Sequence, residues 1–383
     1  MPSWTLKGTL WVYEGRRWLP GRPLAMFDFD STLHRYKNKG PRAEQSLGLL
    51  STLSNHAEFN IVIFSNRAAG GAENIGALKD YVRRLEEKQG HVDVYASTAR
   101  DRNRKPQLGG WEAFCAGRGV RLTPGLRACS YFCGDAAGRA ADFSANDRRF
   151  AGNIGVPFYV PEQLFGAAHC ARPSKAALYP APPPPVDEER YGYEAEMALA
   201  ESPERRRAAD DVFEAAAGAP AVIMVGSPAS GKSTFARRLK GRGFVVASLD
   251  AVKTKAKLYA LIDRAVASGK KVVVDNTNSS RQSRRNIIEK VSRALNQHGY
   301  PLEGCRILVV WAATPRKVCL HLDGLRCDSG KNVELLPRVV IPTYWKYFEQ
   351  PRPEELGDGC RLARLDFAWA EDTPGDLRAR RYW

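Results

Sequence analysis

The chain has 383 residues, with 58 Lys and Arg against 42 Asp and Glu, for a net charge of +16. That length suits two or three domains at about 100–200 residues each, and 44% hydrophobic residues exclude a wholly disordered chain. No apolar run approaches the ~18–20 residues of a membrane span, the start of the chain lacks the apolar stretch of a secretory signal, and eight cysteines without a Cys-x-x-Cys pair are not a disulfide framework. Free thiols in a reducing intracellular compartment are therefore expected. A zinc site from Cys129, Cys133, His169 and Cys170 fits no common ligand spacing. The positive excess favours a polyanionic partner or an anionic substrate.

In chain order, the aromatic and β-branched run Leu10-Trp11-Val12-Tyr13 predicts an early strand. Short apolar runs at Leu24–Phe29, Phe59–Phe64 and Ala128–Cys133 each end in a polar turn, as buried parallel strands do. Apolar residues Ile75, Leu78, Val82 and Leu85 recur at helical spacing between Asn74 and Lys88. The first run leads into Asp28-Phe29-Asp30-Ser31-Thr32. Residues two apart on a strand face the same side, so both carboxylates can converge on one phosphate. One can attack phosphorus; the other can protonate the leaving alcohol and then activate water. A metal-free acidic turn is the alternative at this point. Later elements add to the pattern: Ser65 and Asn66 end an apolar strand, Lys105 precedes Gly109-Gly110, and Asp135 ends the run Tyr131-Phe132-Cys133-Gly134.

The tract Pro180-Ala181-Pro182-Pro183-Pro184-Pro185 predicts extended polyproline II. A charged, alanine-rich stretch follows, to be read as a surface helix or as linker. Beyond it, strands are expected at Ala221–Val225, Phe244–Ala247, Lys271–Val274 and Arg306–Trp311, with helices between them, so the second half is again α/β with a parallel sheet. Gly226-Ser227-Pro228-Ala229-Ser230-Gly231-Lys232-Ser233 matches Gly-x-x-x-x-Gly-Lys-[Ser/Thr] between a strand and a helix. Its backbone N–H groups would turn toward phosphate oxygens at a helix N-terminus. Lys232 would reach the β/γ phosphates and Ser233 would hold Mg²⁺. Asp250, past the second strand, can act as a base toward an acceptor hydroxyl or cap the next helix. Asp275, ending Val272-Val273-Val274, can hold Mg²⁺ or water, or form an Asx turn. Arg281, Arg284 and Arg285 open a basic helix.

These strings resemble the polynucleotide kinase-phosphatases of the animal DNA-repair type. In the second half the resemblance rests on the phosphate loop, Val273-Val274-Asp275-Asn276-Thr277-Asn278, Ser283-Arg284 and Tyr344-x-x-Tyr347-Phe348-Glu349-x-Pro351. In the first half it rests on Gly134-Asp135-Ala136-Ala137-Gly138-Arg139 and on Asp142-Phe143-Ser144-x-x-Asp147-Arg148-x-Phe150-Ala151-x-Asn153. Asp, Ser, Lys and Asp in that order are also the motifs of the haloacid-dehalogenase (HAD) phosphatases. The implied architecture is two α/β domains, each a mainly parallel sheet flanked by helices: a HAD-like Rossmannoid phosphatase over 1–170, a linker over 171–218 and a P-loop kinase over 219–383.

The resemblance also implies roles. Asp28 would be the nucleophile and Asp30 the acid/base. Ser65 and Lys105 would clamp phosphate, and Asp28, the Asp30 carbonyl and Asp135 would surround Mg²⁺. Thr32, Asn66 and Arg67 would lie on the substrate side, with Thr32 also orienting the acid/base. In the kinase, Asp250 would be the base for a 5′-hydroxyl. Gly226, Ser230, Gly231, Lys232, Ser233, Thr234 and Asp275 would bind ATP and Mg²⁺, and Lys253 and Arg284 would meet the substrate strand. The family's lid, His-Asn-Asn-Arg-x-Arg, reads His321-Leu322-Asp323-Gly324-Leu325-Arg326 here, which makes Arg326 the candidate on ATP and a solvated helix arginine the alternative. Ser31 replaces the usual glycine, and Arg67 stands where the family usually has glutamine. Asp142 and Asp147 match the family pattern and are expected to support the site's own residues or the fold, with direct metal ligation as the alternative.

The implied function is end healing of DNA or RNA strand breaks: removal of a 3′-phosphate and phosphorylation of a 5′-hydroxyl, leaving ends for a ligase. The alternatives are a fused small-molecule phosphatase and kinase, and a non-catalytic strand-break binding module. The phosphatase-first order argues against the phage-type branch. With the nucleophile already at Asp28, no phosphopeptide-binding FHA domain is expected, nor recruitment through one. The nucleus is the expected location if the source is a eukaryote.

Overall fold

The computed structural model describes residues 3–34, 43–55, 59–67, 75–165, 185, 187, 192–300, 304–329, 334–369, 373 and 375–380. The proline tract, apart from Pro185, and the pair His169 and Cys170 lie outside them. Among the described residues no helix is long and apolar enough to cross a membrane, and seven cysteines are free thiols. The chain forms two compact units. One comprises Met1–Gly192, Asp323–Leu335 and Pro374–Trp383; the other comprises Tyr193–Leu322 and Leu336–Thr373.

The first unit is built on a seven-stranded sheet in the order β1-β2-β5-β4-β3-β6-β7. Its strands are β1 (Trp4–Lys7), β2 (Leu10–Tyr13), β3 (Leu24–Phe27), β4 (Asn60–Asn66), β5 (Asp93–Ser97), β6 (Tyr131–Cys133) and β7 (Phe158–Tyr159). β3 to β7 pair in parallel, while β1 and β2 join antiparallel at one edge. Side chains along β3 alternate between two cores. Ala25 and Phe27 pack with Ile61, Ile63 and Tyr131 on one face, and Leu24 and Met26 pack with Val62, Phe64 and Phe132 on the other. A strand covered on both faces must be apolar throughout, which is why Leu24–Phe27 carries no polar residue until Asp28.

Three strands are additional to those expected. β1 is a mostly exposed edge. β5 opens on Asp93, a carboxylate that belongs in a buried strand only because Arg118 donates to both its oxygens at 2.6 and 2.7 Å and Gly15 N–H donates at 2.8 Å. β7 spans two residues. The run expected as one strand from Ala128 splits, because Thr123 caps a short helix, Pro124–Cys129, and β6 starts only at Tyr131.

The second unit has a five-stranded, wholly parallel sheet in the order β12-β11-β8-β10-β9. These strands are β8 (Ala221–Val225), β9 (Val245–Ala247), β10 (Val272–Val274), β11 (Ile307–Ala312) and β12 (Cys360–Leu365). In β8, Ala221, Ile223 and Val225 face one core while Val222 and Met224 face the other.

The linker and domain bounds need correcting. Helix Pro203–Gly218, capped by Ser202, is part of the second unit, with Phe213 and Ala216 packed on Val222, Met224 and Phe235. The alanine-rich composition hid one apolar anchor every three residues, Phe213 and Ala216, which is enough to seat the helix on the sheet. Conversely, Asp323–Leu335 belongs with the first unit. There the buried Asp328 carboxylate accepts Leu108 N–H at 3.4 Å and pairs with Arg380, and Leu335 N–H donates to Arg100 O at 2.7 Å.

Phe213→Ala should cost the second unit about 3–4 kcal/mol, as for other large buried aromatics. A denaturant melt resolving that unit checks this; a cost under about 1 kcal/mol would return the helix to the role of a tether.

Candidate active sites

In both units the polar residues of interest stand at the carboxyl end of the central strand, where the strand order reverses direction. Crevices at such switch points are where open α/β sheets bind ligands. β3 has β4 on one side and β6 on the other; β8 has β10 and β11.

At the end of β3, Asp28 N–H continues the ladder to Cys133 O at 2.9 Å. This holds a nearly buried carboxylate facing Lys105. Lys105 Nζ lies 2.6 Å from Asp28 Oδ1 and 2.7 Å from Asp147 Oδ1. Asp28, Asp135 and Asp147 form one cluster, with an oxygen of each within 4.8 Å of the others. Asp147 thus belongs to the cluster and is not merely structural. It also accepts Ala136 N–H at 3.0 Å, and a Cβ on Gly134 would sit 2.4 Å from its Oδ2, so only glycine admits it. Asp142, by contrast, is structural: it accepts the N–H groups of Ala137 and Arg139 and pairs with the Arg139 guanidinium.

Several residues expected on the substrate side have other tasks. Thr32 is fully buried and accepts Asp135 N–H at 3.1 Å. The Asn66 amide is spent on the Lys105 backbone, with Nδ2 donating to its carbonyl at 2.9 Å and Oδ1 accepting its N–H at 2.8 Å. Arg67 is buried with Nη1 2.5 Å from Asp30 Oδ2, so the Asp30 carboxylate meets an arginine rather than the three-carboxylate cluster. Ser65 is buried at the end of β4, and among the described residues its Oγ has no hydrogen-bond partner. A buried hydroxyl left that way is costly unless something is to occupy it. Ser31 adopts φ +61, the left-handed conformation that explains the glycine usual at this position.

Burial pushes Asp28 up to about 7, against the pull of Lys105 and helped by Asp147. It pushes Asp135 up to about 8, reinforced by Asp28 and Asp147. Burial opposes the Lys105 charge, but Asp147 and Asp28 outweigh it and raise its pKa. One ammonium therefore faces a cluster of three carboxyl groups, two buried and one half-buried, and the excess negative charge must be met by protons or by a cation. An all-oxygen donor set fits a hard divalent ion such as Mg²⁺.

The raised carboxyl values carry a sign. The folded state holds protons that the unfolded chain has lost, so stability falls as pH rises from about 4 toward 8. Asp135→Asn should therefore raise the melting temperature at pH 7.5 in a chelator by about 2–4 °C or more, the shift of 1 kcal/mol in a domain this size. It should also lose the stabilisation that Mg²⁺ gives the parent chain. A variant that melts lower in chelator would contradict the charge argument.

In the second unit β8 runs into the Gly226–Ser233 loop. Gly226 has φ +153, and a Cβ there would stand 2.9 Å from Ala312 O and Ser230 Oγ. Gly231, at φ +92, sits at the N-cap position of helix Lys232–Gly241. Lys232 Nζ donates to Ser227 O at 2.5 Å, inside the loop, and the buried Thr314 hydroxyl, just past β11, donates to Ser230 O at 2.9 Å to brace it. Ser233 and Thr234 lie exposed in the helix's first turn.

Asp250 is exposed within the short helix Leu249–Val252, whose N-cap position is Ser248, so capping is not its role. Asn276 Oδ1 accepts Leu249 N–H at 2.9 Å and fixes that turn, a contact hidden in the sequence. Asp275 continues the ladder through its N–H to Ala247 O at 2.9 Å, rather than opening an Asx turn. Lys253 is exposed at φ +70.

One expectation changes here. Arg284 is 1% exposed, bonded to Glu355 at 2.5 Å and to the carbonyls of Asn278 and Ser279 at 3.1 Å, so its side chain is committed to holding the loop together rather than presented at the surface. Arg326, in the last turn of helix Arg316–Asp328, pairs with Asp323 at 2.5 Å.

Residues 23–165 match the family described as polynucleotide kinase 3 phosphatase. The chain belongs to that family. Residues 222–351 match an AAA domain, which contains the whole phosphate loop. The bifunctional polynucleotide phosphatase/kinase of Schizosaccharomyces pombe is 27% identical over 265 residues, covering 69% of this chain and 57% of the relative. This chain thus spans a little over half of that protein's length. A putative bifunctional polynucleotide phosphatase/kinase of Acanthamoeba polyphaga mimivirus is 24% identical over 377 residues, covering 90% of this chain and 85% of the relative. An uncharacterized 20.8 kDa protein of Autographa californica nuclear polyhedrosis virus is 33% identical over 179 residues, covering 42% of this chain and 96% of the relative. The phosphatase-family match contains all three clustered carboxylates, Lys105, Ser65 and the Arg67–Asp30 pair.

Burial lowers Lys232 to about 8, partly countered by Asp275. The ammonium form is the one that attracts phosphate, so affinity is complete below that value and lost above it. Nucleotide dissociation constants should rise between about pH 7 and pH 9.5, with proton uptake on binding at the alkaline end. Calorimetry in buffers of different ionisation enthalpy measures both, and a constant affinity with no proton uptake would refute the lowered value.

Proposed function

We propose that this chain heals nucleic-acid ends with two separate sites, removing 3′-phosphate in the first unit and phosphorylating 5′-hydroxyl groups in the second. The observation that carries the reading is the presence, on one chain, of a buried Asp28–Lys105–Asp147 bridge at one switch point and a braced phosphate loop beside Asp250 at the other.

In the first reaction Asp28 attacks phosphorus. Its ionised form, favoured by the Lys105 ammonium, is the nucleophile. Lys105 and the Ser65 hydroxyl hold phosphate oxygens, and Asp30 protonates the departing 3′ oxygen and then accepts a proton from water. Asp28, Asp135 and Asp147 would hold Mg²⁺, which supplies charge neutralisation between an anionic nucleophile and an anionic ester. In the second reaction Asp250, exposed and fixed by Asn276, takes the proton of the acceptor hydroxyl. Lys232 would meet the phosphates of ATP, and Ser233 and Asp275 would hold its Mg²⁺, which supplies charge neutralisation to the transferring group. Lys253 offers a cation to the strand. The positive excess of the chain suits DNA or RNA, and the product ends suit a ligase.

Asp28→Ala should abolish phosphate release, by at least about 10³-fold, and leave 5′ phosphorylation intact; Asp250→Asn should do the reverse with ATP affinity preserved. A nicked duplex bearing 3′-phosphate and 5′-hydroxyl, incubated with ATP and Mg²⁺, reports both ends. Release from mononucleotides at equal efficiency would favour a small-molecule enzyme, and silence at both ends a binding module.

A further inference from the structure

Arg67, expected on the substrate side, is instead held from several directions. Its N–H donates to Ser97 O at 2.8 Å, its guanidinium lies 5.6 Å from the centre of the Phe29 ring, and its side chain is 9% exposed. Nη1 engages Asp30 Oδ2 at 2.5 Å, while the Asp30 side chain keeps 34% exposure. Among the described residues no other hydrogen bond to that carboxylate is present. Asn66, one residue earlier, holds the Lys105 backbone on both sides. The last two residues from the β4 end therefore fix the two groups that flank Asp28. A planar guanidinium packed on a ring, with one nitrogen on a carboxylate oxygen, sets the direction of that carboxylate, which an ammonium on a flexible stem would not.

We propose that Arg67 is a positioning residue of the phosphatase reaction, holding Asp30 by Oδ2 so that Oδ1 is the oxygen that exchanges the proton. This rests on the phosphatase reading above. In the first step an Asp28 oxygen bonds phosphorus, the bond from phosphorus to the 3′ oxygen breaks, and the Oδ1 proton goes to that oxygen. In the second, water bonds phosphorus, its proton returns to Oδ1, and the bond between phosphorus and Asp28 breaks to release phosphate. Arg67 neither gains nor loses a proton. The competing role is direct contact with the substrate strand.

The full chain with Mg²⁺ is compared as parent, Arg67→Gln, Arg67→Lys, Asp30→Asn and the Arg67→Gln/Asp30→Asn double variant, on an oligonucleotide 3′-phosphate and on p-nitrophenyl phosphate. Arg67→Gln should lower kcat on the oligonucleotide by at least about tenfold with KM changed by less than about threefold, and Arg67→Lys should recover part of it. The double variant should be no slower than Asp30→Asn, because Arg67 acts through Asp30. With the aryl ester, whose leaving group needs no acid, the initial burst of nitrophenolate should survive in Arg67→Gln while steady turnover falls. If Arg67→Gln melts early, Arg67→Lys carries the same comparison. Effects that multiply in the double variant, a KM raised with kcat kept, or parent rates in Arg67→Gln each overturn the inference. No phosphate release from the oligonucleotide by the parent chain would instead overturn the reading it rests on.

Discussion

A strand buried on both faces can present a polar side chain only where it ends. β3 and β8 are both such strands, with alternate residues committed to separate cores. Their first polar or glycine residues, Asp28 and Gly226, are therefore also the first points at which the chain can meet a ligand. Because neighbouring strands leave in opposite directions at those points, β4 and β6 contribute to one crevice and β10 and β11 to the other. The sites are consequences of sheet topology before they are consequences of any motif.

The two crevices solve the problem of phosphate charge differently. In the first unit the positive group is a lysine already saturated by two carboxylates, and the surplus is negative. In the second the positive group is a lysine in a loop of backbone N–H groups, held by a carbonyl and kept weakly basic by burial. A site with surplus negative charge suits chemistry in which the protein is the nucleophile and a cation mediates approach. A site with surplus partial positive charge suits holding a polyphosphate while an outside hydroxyl attacks.

Much of this was legible in the sequence. The apolar runs ending at Asp28, Ser65, Asp135, Gly226 and Asp275 identify central strands, since parallel strands covered on both faces leave little else to their composition. Less legible were the groups whose meaning lies in what they touch. Nothing local distinguishes Asp147, on a helix, from Asp142 in a turn five residues before; only the close passage over Gly134 brings the former to the lysine. Arg284 opens a helix of basic composition and reads as a phosphate contact, yet Glu355, far along the chain, claims it. β5 escaped notice because it begins with a charge that Arg118 makes tolerable. Side-chain pairs distant in sequence override local composition in each case.

Helix Pro203–Gly218 has a consequence for how the protein's charge should be counted. Arg238 stacks 4.1 Å from the centre of the Phe213 ring and pairs with Asp210; Arg242 lies 5.7 Å from the same ring and pairs with Glu214. These guanidinium groups serve as packing planes and local counterions to a neighbouring helix. A cation neutralised in this way displaces few condensed ions when a polyanion approaches. Such pairs cancel within the net charge of +16, which counts the surplus of cations but not where on the surface the unpaired ones lie. Titrating affinity against salt would count only the cations the fold has left unspent.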